Sequence, residues 1–420
     1  MTPRRFFIST GDPSGDWHGA EVAKQLKKLD ATVQVSGVGG AQMRSAGVHL
    51  IHSPQEAMGK VGLSALWAIP AHVLLAREIL AYLKRFRPDV VLLIDYGGFH
   101  LKLAKLLKKR GYCVHYYITP QVWASRPNRL NSLSRHIQHA YCIFPFEVPL
   151  LTARGVMATF VGHPLVLQLP PPASRAEICR ALGLDPERPI IALLPGSRRS
   201  EVKSLLTPML AAVAQLQKMA QAAQEPVPQA VLSQANALPD EWFEPLLALN
   251  QHWMREGQVT LLNSHQNNAI STHNLLSVAD AAVIASGTAT LEAALYQTPH
   301  VLGYRGSWLA NFLVRRFILL PGLGLPNILN SPQLLSNWPK RAHPEHWQPI
   351  VPELLQNDFV AEKIAAAMWP LLHPNTVEYR RAMKGFQQIS ASLSNDNTQL
   401  STPGGAAQRV ASGLIQATTL

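Results

Sequence analysis

Residues 190–198, with the sequence IIALLPGSR, join a short apolar run to a glycine-containing loop, and a helical pattern begins just after them. Such a step is typical of a parallel sheet, in which each buried strand ends in a loop that leads into a helix. The same step occurs at Val90-Val-Leu-Leu-Ile-Asp95. The sequence therefore predicts an α/β protein, and the remaining apolar runs extend the pattern in both directions.

The apolar runs fall into two groups on either side of a proline-rich segment. The predicted strands are Phe6–Thr10, Val33–Val38, Val90–Asp95, Val114–Thr119, Tyr141–Phe144 and Thr159–Gly162, then Ile190–Leu194, Ala230–Ser233, Val259–Leu262, Ala282–Ala285 and Val301–Tyr304. Between the groups, the sequence QLPPPAS at residues 168–174 has no periodicity and predicts a linker. We therefore expect two doubly wound domains, residues 1–167 and 175–358, which face each other across a cleft. Residues 359–420 predict a helical segment that packs on the first domain or on a partner subunit.

Composition limits the class of protein. A chain of 420 residues that is 47% hydrophobic and 15% charged can bury a large core. The net charge of +12 indicates anionic partners, but 7% aromatic residues and thin charge do not fit a nucleic-acid-binding arm. No run approaches the roughly 20 apolar residues of a spanning helix, and the N-terminus lacks the apolar run of a secretory signal. Three scattered cysteines indicate a reducing compartment and no zinc site.

The loop after residue 194 carries Gly196, Ser197 and Arg198. Glycine lets backbone approach a ligand closely, the serine offers a hydroxyl, and arginine pairs with phosphate oxygens through two hydrogen bonds. These residues predict a diphosphate site, although the loop has neither the spacing of a P-loop nor that of a GxGxxG motif. The alternative is an ordinary loop with an exposed arginine.

A second glycine turn follows the predicted strand that ends at Ala285. The backbone amides of Gly287 and Thr288 would approach phosphate, and the carboxylate of Glu292 would accept hydrogen bonds from ribose hydroxyls. In the alternative interpretation, Glu292 only favours the positive end of the helix dipole.

Asp95 ends an apolar strand, which is where a general base is expected in this type of sheet. Partial burial would raise its pKa and make proton abstraction from an alcohol more favourable. The alternative is a turn aspartate before Gly97 and Gly98. Nearby, His100 and His163 are predicted to be hydrogen-bonded structural residues.

The first loop contains Ser14, Gly15 and Asp16 at the start of a helical pattern, so its backbone amides could meet a ligand. The alternative is a tight turn in which Ser14 or Asp16 caps the helix.

An apolar stretch with flanking cations, Lys60 and Arg77, predicts contact with a membrane surface or with acyl chains. The residues expected to make this contact are Leu63, Leu66, Trp67, Ile69, Val73 and Leu74. A buried core helix is the alternative.

Taken in order along nearly the whole chain, these motifs resemble the lipid-A-disaccharide synthase family of inverting glycosyltransferases, which have the GT-B architecture. The matching segments are Ser14–Asp16, Gly37–Gly40, Met58–Gly59, Pro88–Asp95, Pro120–Ala124, Pro145–Glu147, Val161–Pro164, Leu194–Arg198, Ser286–Glu292, Gly303–Arg305 and Leu325–Asn327. One departure is Asp12, which stands where the family usually has Glu.

The resemblance implies transfer of 2,3-diacylglucosamine from its UDP derivative to 2,3-diacylglucosamine 1-phosphate, with a β-1,6-linked disaccharide phosphate and UDP as products. It assigns Asp95 to catalysis and Arg198, Glu292 and Asn327 to UDP-sugar binding. It also implies no cofactor, no metal and no nucleic-acid partner. The family works as a dimer in the cytoplasm, at the surface of the inner membrane, so an anionic membrane is an expected partner.

Two other functions remain open at this point. A UDP-N-acetylglucosamine 2-epimerase shares the architecture but acts on a soluble sugar. A non-catalytic protein of the same fold would bind a lipid or a nucleotide sugar without turnover.

Overall fold

A computed structural model describes residues 3–52, 68–120, 127–235, 238–256, 258–263, 270–306, 322–335, 347–394 and 405–418. The chain divides into two compact units. Unit 1 comprises residues 1–167 and 393–420, and unit 2 comprises residues 168–392. The predicted segment 359–420 is therefore shared between the two units.

Unit 1 is built on one parallel sheet of seven strands, in the order β3-β2-β1-β4-β5-β6-β7. The strands are β1 Arg5–Ser9, β2 Gln34–Val38, β3 His49–His52, β4 Val90–Ile94, β5 Val114–Tyr117, β6 His139–Cys142 and β7 Met157–Phe160. The helices up to the start of unit 2 are α1 Pro13–Leu29, α2 Ala41–Ser45, α3 Ala68–Phe86, α4 Gly97–Lys108, α5 Pro127–His136, α6 Glu147–Thr152 and α7 Leu165–Gln168.

Unit 2 repeats this arrangement with six parallel strands, in the order β10-β9-β8-β11-β12-β13. The strands are β8 Ile190–Leu194, β9 Gln229–Gln234, β10 Val259–Asn263, β11 Ala281–Ala285, β12 His300–Tyr304 and β13 Glu353–Leu355. The helices are α8 Arg175–Leu182, α9 Arg199–Ala223, α10 Asp240–Leu249, α11 Gln251–Glu256, α12 Thr272–Val278, α13 Thr288–Leu295, α14 Leu325–Asn330, α15 Ala361–Met368 and α16 Val377–Ser394. The last helix of the chain, α17 Gly405–Gln416, belongs to unit 1.

The predicted α/β fold with two parallel sheets is confirmed, and each predicted apolar run overlaps a strand. Two strands that the sequence analysis missed, β3 and β13, lie at the edges of their sheets. Their sequences, HLIH and ELL, are short and partly polar. An edge strand has a single neighbour, so it needs less of the apolar, β-branched character by which central strands such as β4 are recognised.

Each unit has its own apolar core. In unit 1, Ala20, Ala23 and Leu26 lie on one face of α1 and pack beneath the sheet together with Val410 and Leu414 of α17. Near this contact, Arg409 of α17 donates a hydrogen bond to the carbonyl of Val161 at 3.3 Å. The C-terminal helix therefore completes the core of the N-terminal sheet.

None of the helices among the described residues combines the length and the apolar character needed to cross a bilayer.

Candidate functional site

Both sheets have the strand order 3-2-1-4-5-6 when their first six strands are counted from the beginning of the unit. Strands 2 and 3 lie on one side of the first strand, and the chain then crosses to the other side to form the fourth strand. Ligands of such sheets bind at this switch point between strands 1 and 4, beyond the carboxyl ends of the strands. In unit 1 the switch point is formed by the loops after β1 and β4, and in unit 2 by those after β8 and β11. These four loops are the ones that the sequence analysis singled out.

The switch point of unit 2 contains a cavity of about 900 Å³. Six predicted site residues line it together: Gly196, Ser197, Arg198, Gly287, Thr288 and Glu292. The hydroxyls of Ser233 and Thr272, which are 2.8 Å apart, and the side chain of His273 also contribute to its wall. A cavity of this size with few convergent polar groups is typical of a small-ligand site.

Glu201, in the first turn of α9, occupies part of the predicted diphosphate site. Its carboxylate accepts hydrogen bonds from the backbone amides of Ser197 and Arg198 at 3.2 and 3.3 Å. The Arg198 guanidinium donates to the same carboxylate at 2.9 Å, although 79% of the arginine side chain is exposed. The loop therefore already holds one anionic group, and an incoming phosphate would compete with Glu201 for these donors.

Gly196 is required at its position for a steric reason. Its φ angle of +112° is one that L residues rarely adopt, and a Cβ atom there would lie 2.5 Å from Oε2 of Glu201. A side chain at residue 196 would displace Glu201 from the loop amides.

Glu292 lies on α13 and pairs with a residue that the sequence analysis did not identify as part of the site. Nε2 of His273, on α12, is 3.3 Å from Oε2 of Glu292. This hydrogen bond raises the pKa of His273 above its ordinary value, while burial acts in the opposite direction. His273 lies well after the predicted strand Val259–Leu262, so it was not among the residues expected at a strand end. The available signal was the concentration of asparagine and histidine in residues 263–274.

Asn327 does not line the cavity, although the family resemblance assigns it to UDP-sugar binding. Its side chain is buried, and the amide nitrogen donates to the carbonyl of Val351 at 2.8 Å and to Glu353 at 2.7 Å. Its oxygen accepts from the amide of Val351 at 2.9 Å. With these bonds Asn327 joins α14 to the chain before β13.

Two aspartate side chains of the first loop of unit 1 cap helices. Asp12, rather than Ser14 or Asp16, caps α1, because it accepts a hydrogen bond from the amide of Gly15 at 2.6 Å. Ser14 is exposed and donates to Asp12 at 3.0 Å. Asp16 is buried and accepts from three backbone amides at the start of α2, those of residues 40, 42 and 43. Asp16 therefore joins two helices and leaves little acceptor capacity for a ligand.

Asp95 follows β4 directly and is only partly buried. Its φ of +47° and that of Tyr96, +52°, place two successive non-glycine residues in the left-handed region. Burial and then the charge of Asp12 raise the pKa of Asp95, which confirms the predicted direction of the shift. Strained backbone and a perturbed carboxyl group at a switch point are typical of functional sites.

His100 has the structural role that was predicted for it. It is fully buried, and burial lowers its pKa to about 4, so the ring is neutral near pH 7. Nδ1 lies 2.8 Å from the carbonyl oxygen of Asp95 and therefore carries the ring proton, because a carbonyl only accepts. Nε2 then accepts from the hydroxyl of Ser9 at 3.0 Å.

The predicted membrane contact lies mostly outside the described residues. Leu63, Leu66 and Trp67 are not described, and neither is the side chain of Ile69. Val73 and Leu74, on α3, are 48% and 58% exposed. For these two positions the interpretation as a buried core helix is wrong.

Within the described ranges, no group of three or more His, Cys, Asp or Glu side chains is placed to hold a metal ion. The expectation of a metal-free site stays a prediction.

The chain was compared with families and with individual proteins. The model of the family described as lipid-A-disaccharide synthetase matches residues 6–384. A lipid-A-disaccharide synthase of Coxiella burnetii is 36% identical over 412 residues, which cover 98% of each chain. That of Geobacter metallireducens is 33% identical over 417 residues, covering 98% of this chain and 97% of the relative.

Solved structures show a likeness of fold. A glycosyltransferase of Rickettsia africae aligns with a TM-score of 0.54 at 12% identity, over 99% of this chain and 100% of that one. A UDP-N-acetylglucosamine 2-epimerase, so titled as putative, from Listeria monocytogenes aligns with a TM-score of 0.58 at 12% identity, over 100% and 97%. At this identity the two structures support the predicted GT-B-like fold alone. The family is decided by the full-length sequence similarity, which shows that this chain belongs to the lipid-A-disaccharide synthetase family of glycosyltransferases.

Proposed function

We propose that this protein transfers 2,3-diacylglucosamine from UDP-2,3-diacylglucosamine to 2,3-diacylglucosamine 1-phosphate, with UDP as the second product. The observation that carries the proposal is the cavity of unit 2, where six residues predicted to bind a UDP-sugar come together. We assign this unit to the donor, and the unit that contains Asp95 to the acceptor and the membrane.

In this proposal the carboxylate of Asp95 is the general base. It accepts the proton of the acceptor's 6-hydroxyl while that oxygen forms a bond to the anomeric carbon of the donor. The bond from this carbon to the diphosphate breaks, and attack on the opposite face inverts the configuration. The raised pKa of Asp95 suits this role, because a base is most effective when its pKa lies closer to the working pH.

The leaving diphosphate needs positive charge or hydrogen-bond donors, since negative charge accumulates on it as the bond breaks. Arg198 and the amides of Ser197, Gly287 and Thr288 line the cavity and supply both kinds of group. We propose that these groups, after displacing Glu201 from part of the loop, stabilise UDP without a metal ion. Ribose hydroxyls would then bind Glu292.

The substrates carry fatty acyl chains and phosphate, so the protein must take them from a membrane surface. We propose peripheral binding to the anionic inner membrane from the cytoplasm, through α3 and the apolar stretch before it, and assembly as a homodimer. The exposed Val73 and Leu74 and the net charge of +12 support the membrane contact.

The test is an assay of UDP release in detergent with the acylated donor and acceptor, on the wild type and on Asp95→Asn. Asparagine tolerates the left-handed backbone of residue 95, so the variant removes the base and leaves the loop. We expect turnover to fall by about a thousandfold while the affinity for UDP is unchanged. Asp358→Asn, on an exposed ion pair in unit 2, is the matched control.

Wild-type protein that releases no UDP from the acylated pair would overturn the proposal and leave a binding protein. Turnover of UDP-N-acetylglucosamine without an acceptor would favour an epimerase. If Asp95→Asn kept full activity, the base would have to be another residue.

A further inference from the structure

His273 is the one titratable side chain of the unit 2 cavity, among the described residues, that has no part in the proposed function. It lies on α12, its side chain is 35% exposed, and its partner Glu292 on α13 is 18% exposed. The two residues therefore form a half-buried pair in the wall of the cavity that Arg198 also lines.

The hydrogen bond to Glu292 determines which nitrogen of the His273 imidazole carries the proton. A carboxylate accepts hydrogen bonds, so Nε2 of His273 carries a proton in the neutral ring. Protonation then adds a second proton at Nδ1 and gives the ring a positive charge. Glu292 favours this form, since its hydrogen bond and then its charge raise the pKa of His273 above the ordinary value, against the effect of burial.

The other titratable groups around α12 are paired, exposed or neutral. The His273–Glu292 pair therefore determines the local charge. The helix packs against α8, α13 and β8. The titratable residues on or next to these elements are Glu292 and Tyr296 near α13, Asp280 after α12, and Arg175, Glu177, Cys179 and Arg180 on α8; β8 has none. Asp280 pairs with Arg175 at 3.0 Å, and burial raises the pKa of the Cys179 thiol, so this thiol stays neutral.

Arg175 bonds to the carbonyl of Val278 at the other end of α12, and Glu177 and Arg180 are exposed. The pKa of Tyr296 is raised to about 12 by burial and then by Glu292, so this phenol stays neutral. Arg198 and Glu201 compensate each other. With a neutral His273 the charge of Glu292 has no partner cation, so this carboxylate repels an anionic ligand that Arg198 and the loop amides attract.

We propose that His273 is a proton-dependent ligand for the diphosphate of a nucleotide, so that a nucleoside diphosphate binding in this cavity takes up a proton on the imidazole. The inference rests on the proposed function, because it requires the nucleotide to bind in unit 2. A diphosphate brings negative charge, which stabilises the protonated ring, and by linkage a lower pH strengthens binding. The protonated ring also keeps the Glu292 carboxylate oriented.

The test uses a UDP-hexose, because its diphosphate is esterified at both ends and does not itself take up protons between about pH 5.5 and about pH 8. Calorimetry across this range, in two buffers of different protonation enthalpy, measures both the affinity and the number of protons taken up. We expect wild-type affinity to weaken with rising pH, by about tenfold for each unit by which the bound nucleotide raises the histidine pKa.

His273→Gln keeps a donor for Glu292 but has no titrating group, so its affinity should not change with pH and its proton uptake should be near zero. His252→Gln removes an exposed histidine from α11, outside the cavity, and should behave like the wild type. If the affinity for UDP-hexose depended on pH equally in the wild type and in His273→Gln, the inference would be overturned. The proposed function would still stand in that case, because the nucleotide sugar binds. Absence of UDP-hexose binding at every pH would overturn both.

Discussion

The carbonyl oxygen of Asp95 accepts a hydrogen bond from Nδ1 of His100 at 2.8 Å, and the hydroxyl of Tyr116 donates to the same oxygen. Both donors are completely buried. Two side chains therefore hold the peptide that follows Asp95, where the backbone is in the left-handed region. Such support is needed because this conformation is unfavourable for a residue with a Cβ atom.

The first prediction concerns this support. His100→Leu removes one donor and leaves Ser9 without its acceptor, so we expect the protein to lose about 1–3 kcal/mol of stability. A displaced Asp95 carboxylate should lower kcat by about tenfold to a hundredfold. The affinity for UDP, which depends on unit 2, should not change. Tyr116→Phe should reproduce the loss of kcat, and a variant with unchanged kcat would show that Asp95 needs no such support.

The second prediction concerns pH. The charge of Asp12 contributes to the raised pKa of Asp95, after burial. Asp12→Asn keeps a residue that caps α1 well and removes this charge, so the pKa of Asp95 falls. Because the base must be deprotonated, activity is lost as the pH falls through this pKa. The acidic limb of kcat/KM against pH should therefore move to lower pH in the variant, and a limb that stays in place would exclude Asp95 as its origin.

The third prediction separates structure from binding at Asn327. Asn327→Leu has a similar volume but leaves the amide and carbonyl of Val351 without partners in the interior. We expect a loss of about 3 kcal/mol in the free energy of unfolding, measured with a chemical denaturant. Asn375→Leu, at an exposed position of unit 2, is the control. If stability were unchanged and UDP affinity were lost, Asn327 would contact the nucleotide directly.

The fourth prediction tests the membrane surface of α3. Val73→Thr combined with Leu74→Gln removes exposed apolar side chains, so we expect little change in stability. Sedimentation with vesicles of anionic phospholipid should show binding weakened by about tenfold to a hundredfold. Full burial of an apolar side chain of this size contributes roughly 1.5–3 kcal/mol, and only about half of each side chain is exposed and available to the membrane. Leu249→Gln, at a position that is 77% exposed in unit 2, should bind as the wild type does. Equal binding of all three proteins would place the membrane contact elsewhere.

The sequence alone determined the two-sheet fold and the loops that form the cavity. Strands such as β4 and β8 are buried on both faces, and continuous burial leaves a continuous apolar run that is visible without the structure. Because parallel strands end at the same edge, the residues that follow them must come together. Gly196, Arg198, Gly287 and Glu292 could therefore be grouped from their positions after two strands that are about 90 residues apart.

Only the tertiary structure decided which partner each polar side chain has. Asp16 caps a helix that begins 25 residues later, Glu201 takes the amides expected for phosphate, and Asn327 bonds to Val351 instead of lining the cavity. His273 meets Glu292 because α12 and α13 pack side by side. A hydrogen bond depends on distances of a few tenths of an ångström between groups far apart in the chain, and no local pattern of residues encodes those distances.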